Sequence, residues 1–103
     1  MLAAYAVQPL ALFIHELAVN ASSYGALLAD GRVQVGWNVD PGIRALTLTW
    51  QESGGPPPQP KRQSGFGTVI ADATIRRQLN GSVDRDWSSD GLRVTINLPN
   101  ATA

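Results

Sequence analysis

Residues 31–50 read Gly31-Arg32-Val33-Gln34-Val35-Gly36-Trp37-Asn38-Val39-Asp40-Pro41-Gly42-Ile43-Arg44-Ala45-Leu46-Thr47-Leu48-Thr49-Trp50. Val33, Val35, Trp37 and Val39 fall at strict period two, the pattern of a strand with one buried face. Asp40-Pro41-Gly42 makes a turn, because Pro presets φ and Gly tolerates positive φ. Leu46, Leu48 and Trp50 resume the alternation, so the stretch predicts an antiparallel hairpin.

Upstream, Leu10, Phe13, Ile14, Leu17 and Ala21 recur at helical spacing between about Pro9 and Tyr24. Pro9 suits a first turn, where its missing N–H costs nothing, and Gly25 suits a helix stop. Downstream, Gly54-Gly55-Pro56-Pro57-Pro58-Gln59-Pro60-Lys61-Arg62 excludes helix or sheet interior. A second helix is expected from Phe66 or Thr68 to about Asn80, on Val69, Ile70, Ala73, Ile75 and Leu79, with Gly81 ending it. Val83 to Trp87 and Leu92 to Leu98 predict two more strands, turned at Ser88-Ser89-Asp90-Gly91. Helix, hairpin, loop, helix, hairpin is an α+β order, with helices packed on one face of a largely antiparallel sheet. Two helices on four strands make a thin core. The expectation is therefore a single domain over residues 1–103 that lacks an N-terminal piece.

Composition narrows the chemistry. Eight Lys/Arg balance eight Asp/Glu, so no net field steers the chain to nucleic acid or an anionic membrane. There is no cysteine, and His15 is the sole histidine, so neither a thiol nucleophile nor structural zinc is expected. No run reaches the roughly 18 apolar residues that span a bilayer.

Glu16, Asn20 and Ser23 fall within about 60° of one another on the first helix, opposite its apolar stripe. A carboxylate and a carboxamide one turn apart suit a hydrated Mg²⁺, although a merely solvated face would look the same. Gly65-Phe66-Gly67-Thr68 opens the second helix, where backbone N–H groups attract phosphate oxygens; a plain turn and cap is the alternative. No P-loop pattern is present.

The run from His15-Glu16-Leu17-Ala18-Val19-Asn20 to Leu27 resembles the N-box of HWE-type sensor histidine kinases. That family is named for a His in this box and a Trp-x-Glu further on, and Trp50-Gln51-Glu52 stands where the second motif belongs. Gly54-Gly55-Pro56, Gly65-Phe66-Gly67 and Gly91 to Pro99 resemble the remaining boxes in order. The resemblance implies the ATP-binding catalytic domain of a bacterial two-component kinase, with the Bergerat two-layer α/β sandwich on a mostly antiparallel mixed sheet. It implies that Asn20 gives an oxygen to Mg²⁺, and that Glu16 is the acid which orients or deprotonates an attacking group. Glu52 would accept from the adenine amine, with Gly54 and Gly55 passing close to the base. Gly65, Phe66, Gly67 and Thr68 would cradle phosphates, and Tyr24 would pack along the nucleotide, a core aromatic at the helix end being the alternative. Lys61 or Arg62 would replace the phosphate contact missing at Ser23, a merely solvated pair being the alternative. The segment 53–64 is the expected ATP lid.

The implied cofactors are ATP and Mg²⁺. The implied partners are the parent's dimerisation and phosphoacceptor domain and a response regulator, in the cytoplasm, without nucleic acid or membrane contact. His15 is expected beside the site and Trp50 in the core. Ser23 departs from the Lys or Arg of many relatives, and Leu92 from the Thr or Ser of conventional kinases. Two rivals keep the fold: a nucleotide-free interaction module, and a protein-serine kinase.

Overall fold

The computed structural model describes residues 2–23, 25–28, 30–55, 66–88 and 91–101 of the chain. Helix α1 (Ala4–Ser23) leads through a one-turn 3-10 helix (Ala26–Leu28) to β1 (Arg32–Asp40) and β2 (Ala45–Ser53). Helix α2 (Phe66–Gln78), β3 (Ser82–Ser88) and β4 (Gly91–Leu98) follow. The strands lie in the order β1-β2-β4-β3, and every pairing among them is antiparallel. This is the expected α+β arrangement. Of the proposed lid only Ser53, Gly54 and Gly55 are among the described residues; Tyr24, Lys61, Arg62 and Gly65 lie outside them.

The core forms where alternation on β2 and β4 meets the helical stripes. Phe13, Leu17 and Ala21 of α1 and Ala71, Ile75 and Leu79 of α2 pack on Leu46, Leu48 and Trp50 of β2 and Leu92, Val94, Ile96 and Leu98 of β4. On α2 the buried stripe is Thr68, Ala71, Ile75 and Leu79, whereas the expected Val69 and Ile70 are exposed. The reason is angular: at 100° per residue, Val69 and Ile70 lie more than about 100° around from Ile75, which anchors the inner side. The left-handed residue that ends α2 is Asn80 (φ 51), not Gly81. Asn tolerates that conformation, and the Gly81 N–H closes onto the Ile75 carbonyl at 3.1 Å.

Two further expectations are corrected. Helix α1 starts at Ala4, so Pro9 lies inside it rather than in its first turn. Tertiary bonds hold that early turn: the Ala3 N–H donates to the Ala101 carbonyl at 2.6 Å, and the Tyr5 hydroxyl to the Asn100 carbonyl at 2.5 Å. These contacts, with Ala6 and Pro9 buried, carry the helix across a residue that local propensity would place at a boundary.

Strand β1 is less covered than its alternation predicts. Its apolar residues do share the helix-facing side, since Val35 pairs with Trp50, Trp37 with Leu48 and Val39 with Leu46. Yet β1 is an edge strand, and only Val33 packs against the core. Val35 is 45% exposed, Trp37 70% and Val39 41%.

At the opposite edge, Arg85 of β3 points inward. Its two terminal nitrogens meet both oxygens of Asp72 on α2, at 2.6 and 2.9 Å, and its guanidinium stands 5.9 Å from the centre of the Phe13 ring. One side chain thus ties β3 to both helices. Asp72→Ala leaves this partly buried cation unpaired and is expected to cost about 2 kcal/mol. Urea denaturation checks it, and an unchanged midpoint would refute the clamp.

Candidate functional site

The last two turns of α1, the end of β2 and the start of α2 come together at one end of the molecule. Two small polar clusters form there, linked by the C-terminal turn of α1.

The first joins the helices. Glu16 and Asn20 sit one turn apart on α1, both half-buried, and Thr68 in the first turn of α2 is buried at 7% exposure. The Thr68 hydroxyl donates to Glu16 Oε1 at 3.3 Å, and Asn20 Nδ2 donates to the Thr68 oxygen at 3.1 Å. Gly67 lets this happen. A Cβ at that position would stand 2.7 Å and 2.8 Å from the two carboxylate oxygens of Glu16, so any side chain would displace that carboxylate from Thr68. The start of α2 therefore approaches the polar stripe of α1 backbone-first, its N–H groups and the positive end of its dipole nearest a carboxylate.

The second cluster is built on Glu52, which is 2% exposed. Its Oε1 accepts from the Ala26 backbone N–H at 3.1 Å, and its Oε2 accepts from the Trp50 indole N–H at 3.0 Å. Trp50 and Glu52 are two apart on β2 and so share a face, which is the physical content of the Trp-x-Glu spacing. Gly25 is where the chain needs no side chain: a Cβ there would come within 2.2 Å of Glu52 Oε1. Its backbone is not left-handed; its N–H still bonds the Ala21 carbonyl at 3.2 Å, continuing the helical pattern. The stop at Gly25 is thus set by a carboxylate rather than by backbone conformation. Gly54 (φ 76) and Gly55 continue from β2 along the same loop, with Gly55 lying against Ala26.

The structure thus gathers Glu16, Asn20, Gly67 and Thr68 in one cluster and Glu52, Gly54 and Gly55 in the other. Phe66 opens α2. Trp50 lies in the core, as its alternation implies, and Leu92 is buried with it, while His15 and Ser23 are exposed on α1. The Ala26 N–H was not readable as a site group, because no side chain announces it; the preceding Gly25 is the only signal. A shallow depression of about 650 Å³, lined by Gln34, Gln51, Ser53, Gly54, Gly55, Asp86, Ser88 and Arg93, opens on the sheet face away from the helices. It shares the two glycines with the Glu52 cluster but not Glu16 or Asn20.

Trp50→Phe keeps an aromatic ring in the core but removes the donor to Glu52 Oε2. A buried carboxylate oxygen left without its partner is expected to lower stability by about 1–3 kcal/mol. An unchanged urea midpoint would mean that the indole N–H does not hold the carboxylate.

Comparison with known proteins gives a consistent result. The chain is 46% identical over 96 residues to a blue-light-activated histidine kinase of Rhizobium johnstonii, covering 92% of this chain and 28% of the relative. It is 44% identical over 97 residues to blue-light-activated histidine kinase 1 of Erythrobacter litoralis, covering 90% and 26% respectively. The chain thus spans about a quarter of the length of the curated relatives it matches. No protein-family model matches it. Among solved structures, the histidine kinase domain of the Erythrobacter litoralis EL346 blue-light activated histidine kinase superposes with a TM-score of 0.70 at 22% identity, over 88% of this chain and 43% of that one. The longer EL346 structure gives a TM-score of 0.71, also at 22% identity, over 90% of this chain and 30% of that one. These superpositions establish the shared fold, and the sequence identities together with the ordered His15-Glu16, Asn20 and Trp50-x-Glu52 motifs establish the kinship: the chain belongs to the HWE-type histidine kinases, as a segment of their catalytic domain.

Proposed function

We propose that this segment binds ATP with Mg²⁺ and serves transfer of the γ-phosphoryl group to a histidine on a separate dimerisation domain, for relay to a response regulator. The supporting observation is the meeting of Glu16, Asn20 and the side-chain-free start of α2 at one spot. Backbone N–H groups at a helix N-terminus are ready donors to phosphate oxygens.

The donor set fits a magnesium ion. Asn20 engages Thr68 through its nitrogen, which leaves Oδ1 as the end able to face a cation. Among the described residues no group of three or more His, Cys, Asp or Glu gathers to hold a metal. The protein would therefore contribute one or two oxygens, and phosphate and water the rest, the coordination Mg²⁺ favours. Bound there, the ion would neutralise phosphate charge as the reaction proceeds.

Glu16 would orient the incoming imidazole by accepting its N–H, while the other ring nitrogen bonds the γ-phosphorus and the bond to ADP oxygen breaks. Thr68 would have to release Asn20 or Glu16 as phosphate enters. Glu52 keeps a second lone pair on each oxygen, the capacity an adenine amine would use. Gly54 and Gly55 would lie along the base. Tyr24, Gly65 and Phe66 would make the nucleotide contacts that the family resemblance implies, and Lys61 or Arg62 would replace the phosphate contact that Ser23 lacks. Among the described residues no helix is long and apolar enough to cross a membrane.

A second reading, an interaction module that binds no nucleotide, draws on Glu52, which is 2% exposed with both oxygens already bonded. Calorimetric titration separates the two. ATP is expected to release heat, more strongly with Mg²⁺ than without, and no heat or thermal shift at millimolar ATP from folded protein would favour the module. Asn20→Ala is expected to abolish the Mg²⁺-dependent part of binding while costing about 1 kcal/mol of stability, the scale of one lost hydrogen bond. Retention of the full Mg²⁺ effect would remove Asn20 from the metal site.

A further inference from the structure

The two edges of the sheet are built differently. The β3 edge is seven residues long and carries Asp84 and Asp86 outward and Arg85 inward, devices that discourage strand addition. The β1 edge is nine residues long, its interior from Val33 to Val39 is uncharged, and its helix-facing side exposes Val35, Trp37 and Val39. An edge of that kind, with no further strand paired to it among the described residues, is a template for another strand.

The sequence of β1 specifies which strand. Arg32-Val33-Gln34-Val35-Gly36-Trp37-Asn38-Val39-Asp40 is chemically self-complementary about Gly36. Laid antiparallel on a second copy with Gly36 facing Gly36, Arg32 meets Asp40, Val33 meets Val39, Gln34 meets Asn38, and Val35 meets Trp37. Each pair matches opposite charge to opposite charge, carboxamide to carboxamide, or apolar to apolar, the cross-strand combinations that stabilise a sheet. Odd positions meet odd positions, so the exposed valines and tryptophans of both copies share the helix-facing side. The chain's zero net charge offers no general repulsion to oppose association.

We infer that β1 is a two-fold docking edge, on which a second copy of this chain adds its own β1 in the Gly36-centred register to make a continuous eight-stranded sheet. The contact is isologous and therefore closes, with the two charged β3 edges at the outer ends of the described sheet. Two copies of the β1 row supply the cover that α1 and α2 do not extend over it.

The absence of cysteine makes the register directly testable on the full chain. Gly36 is exposed, and a Cβ built on it meets nothing within 4 Å. Gly36→Cys places two thiols across the two-fold axis, where directly opposed Cα atoms lie about 4.5–5.5 Å apart, within disulfide range. Mild oxidation is expected to give a covalent dimer. Gln34→Cys and Asn38→Cys, each alone, put the two thiols about 13 Å apart and are expected to stay monomeric on a denaturing gel. Mixing those two variants is expected to produce the cross-linked pair. Sedimentation of the unmodified chain at tens of micromolar is expected to show a dimer, weakened about tenfold or more by Arg32→Asp, which sets like charges opposite Asp40 twice. A monomer at 100 micromolar overturns the inference and leaves the strip to some other segment or partner. A dimer that cross-links through Gln34→Cys alone, or not through Gly36→Cys, overturns the register.

Discussion

A carboxylate taken out of water must find donors for its oxygens, and the end of this molecule that carries the candidate site is arranged around that demand. Glu52 is enclosed, and its two oxygens are met by an indole N–H from its own strand and a backbone N–H from the segment after α1. Desolvating such a group costs several kcal/mol unless it is bonded in this way. The donors therefore constrain everything near them. Trp50 must stand two residues before Glu52, Gly25 must lack a side chain, and Ala26 must present its N–H toward β2. The exit of α1 is thereby fixed to the end of β2, where Gly54 and Gly55 continue the chain.

That anchoring sets the position of the cluster between the helices. Asn20 and Glu16 lie within the last two turns of the same helix, so fixing its exit also fixes where they project. Helix α2 is held from the far side by Asp72 and Arg85, and its first turn settles on Glu16 through Gly67 and Thr68. The cradle between the helices is thus defined by a buried carboxylate and an ion pair that are themselves outside it. The Thr68 hydroxyl is both donor and acceptor, which lets it join a carboxylate and a carboxamide at once. A phosphate arriving at the start of α2 would compete for the same groups.

Much of this was legible beforehand. The stripe Phe13, Leu17 and Ala21, the alternation Leu46-Leu48-Trp50, and the adjacent Glu16 and Asn20 all translate directly into observed positions. Motif order read from His15 to Gly91 matches kinship found by comparison. What was not legible involves groups without a distinctive side chain or contacts between distant residues. The Ala26 N–H has no letter of its own. Pro9 looks like a boundary until Ala3 and Tyr5 are seen bonded to residues 100–101.

The sequence by itself determined the periodicities, and so the element types, their order and the residues each element could offer on one side. Those are local properties, set by backbone geometry within a few residues. Which offered side is covered was decided only by tertiary structure, because cover depends on how far a helix layer extends over a sheet. Strand β1 and strand β2 carry equally good alternation, yet Leu48 is buried while its direct partner Trp37 is 70% exposed. The same holds for polar groups. Sequence supplied Glu52 and Thr68 as candidates, but their partners lie 26 and up to 52 residues away, and only folding brings those donors and acceptors within reach.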